Sequence, residues 1–185
     1  MKMNVTSQEI LVEKAKEVIL NNGVEALSIR KLAKECGISV GVFYNYFETK
    51  TDLIFTIVFE FWQTIMHQES LQNQEDICVY AKNLYNVLVD KLEEFENTWL
   101  MQMALLDSTD KQKGRQLEKQ CFSHIINETL KVIEKDKKIN NDVFNDTLTK
   151  DAFTHFMVMN TVSIARNRHG DCEAFIEIIK RVLYK

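Results

Sequence analysis

A chain of 185 residues, 45% hydrophobic and 27% charged, has the balance of a soluble, core-forming protein and the length of one compact unit or two small domains. Five glycines and no proline disfavour a turn-rich β architecture, and no apolar run approaches the ~20 residues of a membrane span. The formal net charge of −4 argues at first sight against a polyanionic partner.

Thr6 and Glu9 have capping-box spacing, and Leu11, Ala15, Val18 and Ile19 form one apolar stripe behind them. Asn21-Asn22-Gly23 ends that first helix. Ser28 suits the N-cap of a second, in which Ile29, Leu32, Ala33 and Cys36 keep helical spacing up to Gly37. Ser39 then caps a third helix whose buried side is Phe43 and Phe47. Tyr44, Asn45 and Tyr46, between those rings, have no place in a small core and suit a polyanion surface. Helix, glycine turn and helix within about 20 residues is the helix-turn-helix pattern, although an ordinary αα-hairpin has the same outline.

Thr49 and Asp52 make a second capping box, opening a long helix to about His67 whose Leu53, Ile54, Ile57, Val58, Phe61, Trp62 and Ile65 cover more than one face. Ile77 to Phe95, Trp99 to Leu106, Leu117 to Val132, Phe144 to Arg168 and Asp171 to Tyr184 follow as further helices. The expected fold class is all-α: a three-helix N-terminal bundle followed by six helices, about nine in all.

The run from Leu27 to Lys50 resembles the DNA-binding region of the TetR (tetracycline-repressor-like) family of bacterial transcription regulators, a resemblance that covers about residues 6 to 53. The family pattern is met by Ser28, Leu32-Ala33, Gly37, Ser39, Gly41, Tyr44, Phe47, Lys50 and Leu53. Tyr46 stands where the family usually has His, and Phe43 where it has Leu or Ile. The resemblance implies a DNA-binding domain over residues 1–50 and a helical effector-binding and dimerisation domain over 51–185. By match to the motif, Ser28, Ser39, Tyr44, Tyr46 and Lys50 hold phosphates, while Arg30, Val40, Gly41, Val42 and Asn45 face base edges. The implied function is a sequence-specific regulator, most often a repressor, released from a palindromic operator by a small molecule. A DNA-organising or division-linked binder of the same fold without an effector is the alternative.

Charge is neutral on this point. Residues 1–50 hold seven Lys/Arg against six Asp/Glu, a net +1, and the remainder carries −5. Lys14, Lys16, Arg30, Lys31, Lys34 and Lys50 can gather on one face, and phosphate affinity comes from local contacts.

One recognition helix reads too few bases, so a homodimer on a palindrome is expected. Phe153, Phe156, Asn160 and Ile164, with Phe175, Ile176, Ile179 and Val182, offer the apolar faces of the last two helices for that contact. Trp62, Met66, Tyr80, Trp99, Met103, Phe122, His124, Met157 and Asn160 are the candidate effector lining, since aromatics and methionines line adaptable pockets. No Arg or Lys falls on an apolar face there, so the expected effector is apolar, aromatic or a lipophilic cation.

Cys36, Cys78, Cys121 and Cys172 form no CxxC pair and read as reduced thiols. Cys121 and His124, at i and i+3, supply only two metal ligands, and no metal or other cofactor is expected. An enzyme with an incidental helix-turn-helix is the remote alternative, but no phosphate loop, GxSxG elbow or HExxH helix occurs, and Asp151 with His155 lacks a nucleophile. No catalytic residue is assigned. The polar N-terminus lacks a signal-peptide core, so the expected location is the cytoplasm.

Overall fold

The computed structural model describes residues 7–94, 111–167 and 171–184. Among them are eight α-helices and no strand: α1 Gln8–Asn22, α2 Ile29–Glu35, α3 Val40–Phe43, α4 Lys50–Met66, α5 Ile77–Glu94, α6 Lys111–Lys135, α7 Lys150–Asn167 and α8 Glu173–Leu183. The all-α expectation holds. The expected helix from Trp99 to Leu106 lies outside the described residues, as do Thr6, Phe95, Arg168 and Gly170. No described helix is long and apolar enough to cross a membrane.

The described residues fall into two compact units, 7–62 with 111–118, and 63–94 with 119–167 and 171–184. In the first, α1 is capped by Ser7, whose Oγ accepts from the Ile10 N–H at 3.4 Å. Leu11, Val12, Ala15, Val18 and Ile19 of α1 meet a core completed by Leu27, Leu32, Ala33, Phe43, Phe47, Leu53 and Ile57. Each large side chain removed from water there contributes roughly 1.5–3 kcal/mol, which three short helices could not gather separately. The Lys16 ammonium bridges Glu13 and Glu60, both at 2.7 Å, and so ties α1 to α4.

In the second unit α5 packs chiefly along α7 and also against α8. Tyr80, Ala81, Leu84 and Leu88 of α5 are almost fully enclosed, as are Ile125 of α6, Met157 and Val158 of α7, and Ile179 and Leu183 of α8. Two buried hydroxyls pair inside this core, Thr129 donating to the Tyr80 oxygen at 3.3 Å. Thr154 and Thr161 satisfy theirs on the preceding turn, at Lys150 O and Met157 O.

α7 starts six residues after the expected Phe144. The Asn145 carboxamide accepts from the Thr147 and Leu148 N–H groups, and Thr149 Oγ1 accepts from Ala152 N–H. These side chains offer the backbone a turn and then a cap instead of a longer helix. Asp171 likewise caps locally, accepting from Glu173 N–H at 3.0 Å, and α8 begins two residues after it.

A polar junction joins the α5 start, the α6 end and the residue after α8. Asp136 is buried, and its carboxylate accepts from the N–H groups of Ile77 and Lys138, both at 2.9 Å, and from the Tyr184 hydroxyl. Asp76 caps α5 through the Cys78 and Val79 N–H groups and pairs with the Lys138 ammonium at 2.6 Å. Burial and then the bond to Asp136 hold the Tyr184 proton on well above the ordinary phenol range. A shallow groove of about 320 Å³ runs over the junction, lined by Gln74, Glu75, Asp76 and the stretch 135–138.

Candidate nucleic-acid interface

Three local devices set the turn between α2 and α3. Gly37 has φ of +68°, a conformation open to glycine at little cost. Its N–H bonds to Lys34 O at 3.1 Å, and the Ile38 N–H bonds to Ala33 O at 2.9 Å. That pair of bonds is a Schellman closure, so the last carbonyls of α2 are satisfied within the turn. Ser39 Oγ accepts from Val42 N–H at 3.2 Å and starts α3. α3 itself is four residues long, but bonds from Tyr44, Asn45, Tyr46 and Phe47 N–H groups carry the helical path through Phe47. The buried rings of Phe43 and Phe47 lie 5.6 Å apart and anchor both ends of this segment in the core.

With those rings facing inward, the other side of the segment faces water. Val40, Gly41, Tyr44, Asn45 and Tyr46 are exposed, and Val42 is half-buried. The Tyr44 ring sits edge-on to Phe43 at 5.5 Å while remaining 49% exposed. Arg30, Lys31 and Lys34 of α2 are also exposed, and Lys50 is half-buried at the first position of α4. Ser28 is exposed and in the extended conformation of an N-cap, yet its side chain makes no capping bond, contrary to the sequence expectation.

The expected six-cation face is reduced. Lys14 pairs with Glu17, and Lys16 with Glu13 and Glu60, which neutralises the two α1 lysines within their own unit. Cys36, at the C-cap of α2, is half-buried, and burial pushes its thiol up, so it stays protonated.

Residues 11–57 match the family described as bacterial regulatory proteins, tetR family. The match spans α1 to the first half of α4, the helix-turn-helix included. No curated protein matches it. Solved structures share its fold over nearly the whole length. The fatty acid degradation regulator FadR from Bacillus halodurans has a TM-score of 0.61 at 17% identity, covering 96% of this chain and 94% of its own. The multidrug binding protein EbrR, complexed with imidazole, gives 0.60 at 16% identity over 95% and 94%. BioQ, with its double-stranded DNA operator, gives 0.58 at 14% identity over 96% and 98%. At such identities the likeness concerns fold. Together with the family match it makes this chain a DNA-binding regulator by type.

The remaining candidates fall elsewhere. Of the suggested effector lining, Met66, Tyr80, Phe122 and Met157 are buried in the second unit and Trp62 in the first; Trp99 and Met103 lie outside the described residues. His124 is exposed, because α6 turns Phe122, Ile125 and Ile126 inward, so it lines no apolar face. Asn160 is half-buried and its amide donates back to Phe156 O at 2.7 Å, a bond internal to α7.

The suggested dimer residues divide in two. Phe153, Phe175 and Ile179 are buried in the chain's own core, Ile164, Ile176 and Val182 are half-buried, and Phe156 is 51% exposed. Met159 and Ile178, at 45% and 53% exposed, were not anticipated as surface residues. Ile178 sits three residues from buried Phe175 and next to buried Ile179, yet faces water.

Proposed function

We propose that this chain is a homodimeric repressor that binds a palindromic operator through α2 and α3 and leaves it when a small molecule binds the second unit. The observation that carries the DNA half is the exposed surface of Arg30, Lys31, Lys34, Val40, Tyr44, Asn45 and Tyr46 over an anchored Phe43–Phe47 turn. In this reading Asn45 and Arg30 meet base edges, Ser28, Ser39, Tyr44, Tyr46 and Lys50 meet phosphates, and the two valines touch thymine methyls. Ser39 Oγ is already an acceptor for Val42, which leaves its proton for a phosphate oxygen.

Exposed Phe156, Met159 and Ile178 support pairing of the last two helices, since solvent-facing large apolar groups on adjacent helices mark association surfaces. The Phe156 ring lies 6.4 Å from Phe175, so this surface continues into the core behind it. For the effector, Tyr80 and Met157 with the Tyr80–Thr129 hydroxyl pair are an apolar setting with one polar handle. That favours an apolar or cationic ligand. FadR, a fatty acid degradation regulator, and EbrR, a multidrug binding protein, are compatible precedents for such a class. The enclosure of Tyr80 and Met157, 1% and 0% exposed, favours a second reading in which no effector enters and DNA binding is constitutive.

Footprinting the purified protein on the DNA upstream of its own gene, with and without apolar and cationic compounds, tests all of this. A symmetric footprint erased by a compound supports the repressor reading. A footprint indifferent to every compound favours the second reading, and no footprint on any DNA overturns both.

A further inference from the structure

A glycine inside a helix destabilises it relative to alanine, because the unfolded chain is freer and no side chain packs in return. Gly23 and Gly37 answer a conformational need, with φ of +78° and +68°. Gly41 does not. It lies within α3, has no positive φ, and is exposed. A Cβ placed there would meet only Ser39 Oγ at 3.7 Å, an ordinary van der Waals contact. Nothing among the described residues requires the missing side chain.

We infer that Gly41 is a clearance position: its bare Cα lets the α3 backbone seat against the base edges of duplex DNA, where a β-carbon would hold the helix off. This rests on the DNA-binding reading above and refines it. Val40 on one side and Tyr44 and Asn45 one turn on are exposed with it, so the approach concerns the same face of α3. The groove floor must come closer at position 41 than at its neighbours, which keep their side chains. The residue thus sets approach depth, and through it which base edges Asn45 can reach.

The test uses the full chain and an operator selected by the wild-type protein from a random-sequence duplex pool. Gly41→Ala should raise the melting temperature by about 2–4 °C, as an exposed helical glycine-to-alanine change does. It should weaken operator binding about tenfold, and Gly41→Leu should weaken it further, toward the affinity for unselected DNA. Low-salt binding to unselected DNA should stay at the wild-type level in both variants, because phosphate contacts carry it. An alanine variant that holds the operator as tightly as wild type overturns the inference, and so does one that melts lower than wild type. If the wild-type protein selects no sequence, the DNA-binding reading itself falls, a different outcome from either of these.

Discussion

Thr49 and Asp52 cap α4 reciprocally: the Thr49 N–H donates to Asp52 Oδ2 at 2.9 Å, and the Asp52 N–H donates to Thr49 Oγ1 at 3.1 Å. The Thr49 hydroxyl donates to the same carboxylate oxygen at 2.9 Å, closing the box. Lys50 is the first residue inside this cap, so the box fixes the backbone that carries the proposed phosphate contact. Asp52→Ala should cost about 1 kcal/mol, read as a melting temperature lower by about 2–4 °C. An unchanged melting temperature would mean that the box contributes nothing.

Lys50 and Asn45 should separate positioning from reading. Lys50→Ala should weaken binding to all duplexes alike and reduce the slope of log K against log salt by about 1. Asn45→Ala should cost ~1–3 kcal/mol on the selected operator and little on unselected DNA. Titrations at several salt concentrations distinguish the two, and identical profiles for both variants would remove the proposed division of labour.

At the last two helices, Phe156→Asp with Ile178→Asp should give a folded monomer, because both side chains are already half in water. Phe175→Asp with Ile179→Asp should instead unfold the second unit, since each places a carboxylate in the core. Light scattering at micromolar concentration reads the first outcome and circular dichroism the second. A Phe156/Ile178 double variant that remains dimeric would move the interface elsewhere.

Acid should loosen the polar junction. Burial alone would raise the Asp76 carboxyl, but the Lys138 ammonium, the Val79 N–H and the Tyr184 hydroxyl outweigh it and hold it below the usual carboxylate range. A group depressed in the folded state contributes stability above its unfolded pKa, about 3.9, and loses it as pH falls through the folded value. Wild type should therefore exceed Asp76→Ala by about 1 kcal/mol at pH 7, the size of a lost N-cap. The difference should shrink as pH drops below about 4. Urea midpoints at pH 7 and pH 3 check this, and a gap independent of pH would mean that the carboxylate charge is immaterial.

What could be read from the residues alone was local. Gly37, Ser39 and the Thr49–Asp52 box act over at most five positions, so their spacing carries the whole signal, and the fold class followed from helical periodicity in the same way. Ser28 and Thr149 mark the boundary of that legibility: the first has a cap's backbone but makes no bond, and the second is the cap that shortens α7. Which of two apolar faces a helix keeps for itself was not legible. Phe175 and Ile179 are core while Ile178 is surface, and hydrophobicity ranks them alike. His124 differs for a related reason: the buried face of α6 keeps Ile125, Thr129 and Val132 and widens toward Phe122, Ile126 and Ile133, which leaves position 124 in water. The Asp136 junction left no trace, because two of its three partners, Ile77 and Tyr184, lie 59 and 48 residues away in sequence.

That separation has a kinetic side. Tyr184 also donates to Asp76 Oδ1 at 3.3 Å across 108 residues of sequence. Closing so long a loop costs chain entropy before any bond repays it, and folding slows as contacts become less local. The helices of the second unit can each form within microseconds from neighbours in sequence, but the knot of Asp76, Asp136 and Tyr184 must wait for both ends to arrive. In a refolding experiment followed by pulsed hydrogen exchange, the Ile77 amide should therefore gain protection after the amides in the middle of α5, although it belongs to the same helix.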